Sequence, residues 1–319
     1  MTTETLETET TAAAAMRGTV SYADLWKHAV ALVIEYRRMG VTRVVAGHAP
    51  EGSDPDLFRA YKVILDGQEY RRIAKLDRRI RARLLKLGLP ITSYMKGATV
   101  IPTELIEHAE DLLDQYLAER KGAVQAFIQA YPALIQRAQA RLGPLYDPTN
   151  YPSVETLPEL FSVSIRYLTF DMPGVLQHCS ERARKRALEE GQVQLTEAVE
   201  EMQGYLRETM AGLIGHLREK LTPDPVTGEA KVFKAASMNN LLEFLDTFSA
   251  KNLVAQDQTL TTLVQQARQL LNGVELPILR KDEAMRNVIR AGLDDLAAQM
   301  DTLLVKRPPR QYVWGDEEG

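Results

Sequence analysis

Five histidines, His28, His48, His108, His178 and His216, are where metal or acid–base chemistry would ordinarily rest in this chain. They are widely spaced and form neither a His-Glu-x-x-His nor a Glu-x-x-His pattern, so no zincin helix or di-iron bundle motif is present. His178 and Cys179 are the one adjacent pair of these types. Neighbours on a helix diverge by about 100°, and a surface histidine beside a buried cysteine accounts for them. No glycine-rich phosphate loop and no nucleophile elbow occurs, and the Asp54-Pro55-Asp56 and Asp224-Pro225 turns lack the acid spacing of a calcium loop. The expectation is a non-enzymatic chain with no catalytic, metal-binding or cofactor-binding residue and no cofactor.

Charge is more informative. Between Arg71 and Lys86 stand eight basic residues and one acid, Asp77, a net +7 in a chain of net −4, so the remainder carries −11. Arg72, Lys75, Arg79, Arg83 and Lys86 share a stripe flanking an apolar seam on one helix. Such a stripe can track phosphates or a membrane surface, engage an acidic protein, or dock on the acidic remainder of its own chain. A second set of candidate contacts lies near the C-terminus, where Tyr312 and Trp314 follow Pro308-Pro309. Two aromatics on a stiffened tail suit anchors for a partner groove.

At 319 residues, with 45% hydrophobic and 26% charged residues, the composition is that of a globular chain of about two domains. No run approaches the ~20 apolar residues of a membrane span. Cys179 is the sole cysteine, which excludes an internal disulfide and suits a reducing cytoplasm. Met1–Thr11 is acidic and Thr/Glu-rich, unlike a secretory signal. The chain is therefore expected to be cytoplasmic, with no membrane contact.

Periodicity supplies the elements. Ser21–Met39 reads as a helix through Leu25, Ala29, Leu32, Val33 and Tyr36, with Gly40 to stop it. Val41–Val45 reads as a strand, His48–Pro55 as a loop, and Asp56–Leu87 as helix interrupted near Gly67. Within the latter, Ile73, Leu76, Ile80, Leu84 and Leu87 fall on one face. Pro102 opens a helical stretch to Leu142 whose seam, Leu113, Leu117, Val124, Ile128, Tyr131, Ile135, Ala138 and Leu142, misses a rung near Arg120. A kink or break is expected at Pro132. Phe161, Val163, Ile165 and Tyr167 alternate with polar residues as a half-buried strand, with Val41–Val45 as its candidate partner. From Pro173 to Leu221 the chain is helical, with an 11-residue-type seam at Leu195, Val199, Met202, Leu206, Met210, Leu213, Leu217 and Leu221. Helices at Asn239–Phe248, Thr259–Asn272 and Arg280–Val305 follow.

The expected fold is all-α, mainly long helices in an elongated bundle or coiled-coil-like arrangement, with one minor extended element. Its divisions are a disordered tail at 1–20, a helical region at 21–145, a Pro-rich hinge and strand at 146–172, a second helical region at 173–305 and a flexible tail at 306–319.

Several blocks in order carry a resemblance. They are Gly97 to Pro102; Phe127 to Pro132; Tyr151-Pro152-Ser153 with Glu159-Leu160-Phe161; Gly228 to Phe233 with Asn240 to Leu245; and Ala267 to Leu271. Together, over about residues 40–305, they resemble an uncharacterised family of bacterial and phage helical proteins, a domain of unknown function whose members are often encoded beside MoxR-type AAA+ ATPases. The resemblance implies a helical accessory protein or adaptor of such an ATPase. It carries no catalytic residue over. The alternative raised by the charge stripe is a nucleic-acid-associated phage or plasmid maintenance protein.

Overall fold

The computed structural model describes residues 27–45, 52, 54, 57–168, 180–223, 235–274, 278–279 and 282–304, in two compact units that divide between Leu195 and Thr196. The division falls inside a helix rather than in the Pro-rich 146–172 stretch, whose Leu157 and Phe161 are buried in the first unit's core. The chain is mostly helical, yet sheet is more than one minor element: a four-stranded and a two-stranded antiparallel sheet are present.

In the first unit the strands are β1 (Ala29–Tyr36), β2 (Thr42–Val45), β3 (Ala60–Val63), β4 (Leu89–Pro90), β5 (Ala98–Pro102) and β6 (Val163–Leu168). The four-stranded sheet has the order β4-β5-β1-β6, and β2 pairs with β3. Residues 21–26 lie outside the described residues, and across the described part of that span β1 corrects the helix expected over Ser21–Met39. It is the central strand, paired on both sides, and Ala31 to Ile34 are all buried. A strand covered on both faces loses its alternation, so its continuous apolar run also satisfies helical spacing. The half-buried strand near Phe161–Tyr167 is present as β6, but its partner is β1, not Val41–Val45.

Two long helices cover one face of this sheet: α1 (Gln68–Leu87) and α2 (Ile106–Leu142). Residues 60–63, expected in the first half of a helix, form β3, and Gly67 is the N-cap of α1. All five predicted seam residues of α1 are buried. They join Leu32 and Ile34 of β1 and Leu113, Phe127 and Tyr131 of α2 in one core. The helix α2 runs unbroken through Pro132. Its buried line is Ala109, Leu113, Tyr116, Arg120, Ala123, Phe127, Tyr131 and Leu134, while Leu117 is exposed. After α1, Gly88 admits a close approach, since a Cβ there would lie 2.5 Å from the carbonyl oxygen of Val100 on β5.

The helix α3 (Glu181–Leu221) crosses the division, and the second unit continues with α4 (Ala235–Ala255), α5 (Gln258–Leu271) and α6 (Glu283–Leu303). The α3 seam is buried as predicted except at one rung, where Ile214 takes the place of Leu213. Asp257 and Asp282 cap α5 and α6, each accepting from a backbone N–H at 3.0 Å. Asp257 also accepts from Arg207 Nε at 2.6 Å, which ties α3 to the α4–α5 turn.

Candidate functional site

The predicted basic stripe lies on α1, and its surroundings are set by α2, which runs antiparallel to it. The pairing is fixed by Asp77 with Arg120 near the middle and by Gly67 close to Leu134 at the end. In the half nearer the C-terminus of α1, cations are consumed inside the molecule. Arg79 pairs with Glu119, and Arg83 Nη1 donates to Gln115 Oε1 at 3.2 Å. Arg81 stacks 4.8 Å over the Tyr36 ring, and Lys86 is also engaged. In the other half, exposed Arg72, Lys75 and Arg78 make no ion pair among the described residues. Helical stepping from Arg79·Glu119 places Arg72 and Lys75 opposite Ala126 and Gly122, which offer no oxygen acceptor on their side chains.

The ribbon β2–β3 lies at the end where α1 begins, because β3 feeds α1 through Ile64–Gly67. It is held there by Lys62 Nζ donating to the Leu145 carbonyl at 2.6 Å and by Tyr151 Oη donating to the Ile64 carbonyl at 3.0 Å. Its faces are reversed relative to an ordinary amphipathic hairpin. Arg43 and Lys62, cross-strand partners of like charge, occupy the half-buried inner face with Val45 and Ala60. Like charges directly opposite repel, and here carbonyls absorb them: Arg43 donates to Gly40 and Thr42, Lys62 to Leu145. The outer face carries Val44, Tyr61 and Val63, which are 59%, 63% and 56% exposed. Leu57 and Phe58, just before β3, are exposed too.

One polar cluster escaped sequence reasoning. Asp77, the lone acid of the basic run, is fully buried; its Oδ1 accepts from Tyr116 Oη at 2.7 Å and Arg120 Nε at 2.9 Å. Arg120 also donates to the carbonyls of Phe161 (2.8 Å) and Arg37 (2.9 Å). Asp77 Oδ2 has no hydrogen bond and faces Arg38 Nε at 3.5 Å. Burial, then the bond to Asp77, raises the Tyr116 hydroxyl pKa. The cluster joins α1, α2, the end of β1 and the entry to β6, so its role is to hold elements together. The missing rung at Arg120 and the isolated acid at Asp77 were its signal: opposite charges at seam positions of two helices.

The remaining candidates are dispersed. His28, His108 and His216 are exposed, and the His216 ring bonds the Ser237 hydroxyl at 3.1 Å. Among the described residues no three of His, Cys, Asp and Glu are grouped to hold a metal ion, and no helix is long and apolar enough to cross a membrane. His48, His178, Cys179, Tyr312 and Trp314, with the 1–20 and 306–319 tails, lie outside the described residues.

No family model, curated protein or solved structure matches the chain.

Proposed function

We propose that this is a non-enzymatic helical interaction protein that docks a protein partner through the outer face of the β2–β3 ribbon. The observation carrying this reading is the reversed ribbon: cations half-buried against the body, Val44, Tyr61 and Val63 turned to solvent. Exposed apolar area of this kind is a standing liability unless something covers it, and a two-stranded ribbon with open edges compounds it. The free cations Arg72 and Lys75 on the adjoining helix favour a partner that combines aliphatic and acidic side chains. The sequence resemblance supplies the partner class, a MoxR-type AAA+ ATPase, for which this chain would act as adaptor or accessory in the cytoplasm of a bacterial or phage-infected cell.

The same free cations favour the second reading, a nucleic-acid-associated maintenance protein. Against it, Val44 and Val63 have nothing to offer a phosphodiester backbone.

Co-expression of the tagged chain with a MoxR-type AAA+ ATPase tests the first reading. The wild-type chain is expected to retain the ATPase on the affinity resin. Val44→Asp/Tyr61→Asp should reduce recovery about tenfold, the loss of a hot spot. Both side chains are more than half exposed, so the melting temperature should be unchanged. Equal recovery with the variant, or no complex with the wild type, overturns the reading.

A further inference from the structure

We infer that the open half of the α1–α2 hairpin is a carboxylate-binding surface for an acidic segment of the partner, an inference that rests on the interaction reading above and names the chemistry of what docks.

The two halves of one stripe differ in what faces them. From Ile106 to Glu119, α2 carries Glu107, Glu110, Asp111, Asp114 and Glu119. From Arg120 to Leu142 it carries no acid at all. The acids stop where the paired cations stop, so Arg72 and Lys75 look across to Ala126 and Gly122 instead of a carboxylate. At Gly122 an added Cβ would meet nothing within 4 Å, so the site opposite Lys75 is open space. At the same end Arg71 and Arg141 are clipped by one shared carboxylate, Asp66, at 3.3 and 3.8 Å. They are 69% and 72% exposed, so their remaining N–H groups stay available.

The −11 borne by the rest of the chain does not cancel this field, because exposed charges beyond a Debye length of about 8 Å are screened. A surface cation cluster that its own fold leaves uncompensated attracts an external anion. Two features select protein carboxylate over nucleic acid phosphate. The rings on this part of the hairpin are turned inward: Tyr70 donates its hydroxyl to the Met39 carbonyl at 2.7 Å, and Phe127 and Tyr131 are core residues. Stacking platforms for bases are therefore lacking along α1 and α2. The adjoining ribbon presents Val44 and Val63 beside Tyr61, and a peptide bearing both glutamate and leucine can cover the two valines where a phosphodiester cannot.

The test uses the full chain and a fluorescein-labelled synthetic peptide of alternating glutamate and leucine pairs, read by anisotropy. The peptide is expected to bind, and raising salt should weaken binding severalfold. Arg72→Gln/Lys75→Gln should weaken it about tenfold, whereas Arg79→Gln/Arg83→Gln, already consumed by Glu119 and Gln115, should change it less than about threefold. Gly122→Glu supplies an internal carboxylate into open space and should compete the peptide off without loss of the fold, checked by circular dichroism. No peptide binding, equal losses from the two glutamine pairs, or tighter Arg72-dependent binding of a duplex DNA overturns the inference. A peptide that binds while the ATPase fails to co-purify sinks only the ATPase reading. Recovery of the ATPase that ignores Arg72→Gln/Lys75→Gln, with no peptide binding, sinks only this one.

Discussion

Replacing Asp77 by alanine removes the anion at the centre of the first unit while leaving its cation in place. Arg120 would keep the carbonyls of Phe161 and Arg37 but lose the partner of Nε and its buried counter-charge, with its side chain 4% exposed. Breaking a buried pair from one side costs about 3–5 kcal/mol. The Tyr116 hydroxyl, left without its acceptor, adds about 1–3 kcal/mol unless water enters. Together these give a loss of about 4 kcal/mol if water satisfies Tyr116 and up to about 8 kcal/mol if it does not, a large share of a typical stability of about 5–15 kcal/mol. Arg120→Met should cost about 3 kcal/mol or more, since Asp77 keeps Tyr116 and Arg38 but two backbone carbonyls are orphaned. The double variant should fall short of the sum by about 2 kcal/mol, the coupling between groups in direct contact. Arg38→Ala, removing a partly exposed guanidinium that makes no hydrogen bond to Asp77, should cost under about 1 kcal/mol. Urea unfolding followed by far-ultraviolet circular dichroism measures the losses. Hydrogen exchange of peptides from residues 68–142 assigns them to the first unit. An Asp77→Ala variant within about 1 kcal/mol of wild type, or strict additivity in the double, would refute the account of this cluster.

Leu206 is fully buried in the α3 seam, so Leu206→Asp should cost at least about 3 kcal/mol, whereas Glu208→Ala on the exposed side should cost under about 0.5 kcal/mol; melting temperatures compare them. Gln203 is a poorer control than its position off the seam suggests, because its Nε2 donates to the Ala255 carbonyl at 2.8 Å. Burial pushes the Tyr131 hydroxyl up to about 12, from an ordinary value near 10. Its neutral form therefore stabilises the fold fully below pH ~10, and this is lost as pH rises toward ~12, where the unfolded chain has already released the proton. Thermal melts at rising alkaline pH should show the decline, with a shallower slope for Tyr131→Phe. Deleting Lys306–Gly319 should leave the circular dichroism spectrum intact and reduce recovery of the ATPase or of a second copy of the chain. Unfolding of the truncated chain, or unchanged recovery, would remove the anchoring role from Tyr312 and Trp314.

Most helices were legible because a helix burying one face writes its period locally. Ile73 to Leu87, and Leu195 to Leu221 with one rung moved, are read from residues three and four apart. The half-buried strand at Val163–Leu168 was legible for the same reason at period two. The strand Ala29–Tyr36 was not, since burial on both faces erases alternation and leaves an apolar run that fits either element. Nor was the partner of Thr42–Val45, because strand pairing joins residues far apart along the chain, and nothing in a four-residue strand names its neighbour.

The charge stripe separates the two kinds of information most clearly. That five cations share one side of α1 follows from sequence alone, through the helical repeat. Which of them are spent was decided by α2, folding back antiparallel with Glu119 and Gln115 at one level and Gly122 and Ala126 at the next. The exposure of Val44, Tyr61 and Val63 was decided in the same way, by Lys62 and Tyr151 fixing which face of the ribbon meets the body. Periodicity sorts residues onto faces. Only contacts between distant segments determine which face is covered, because burial and ion pairing depend on what arrives from elsewhere in the chain.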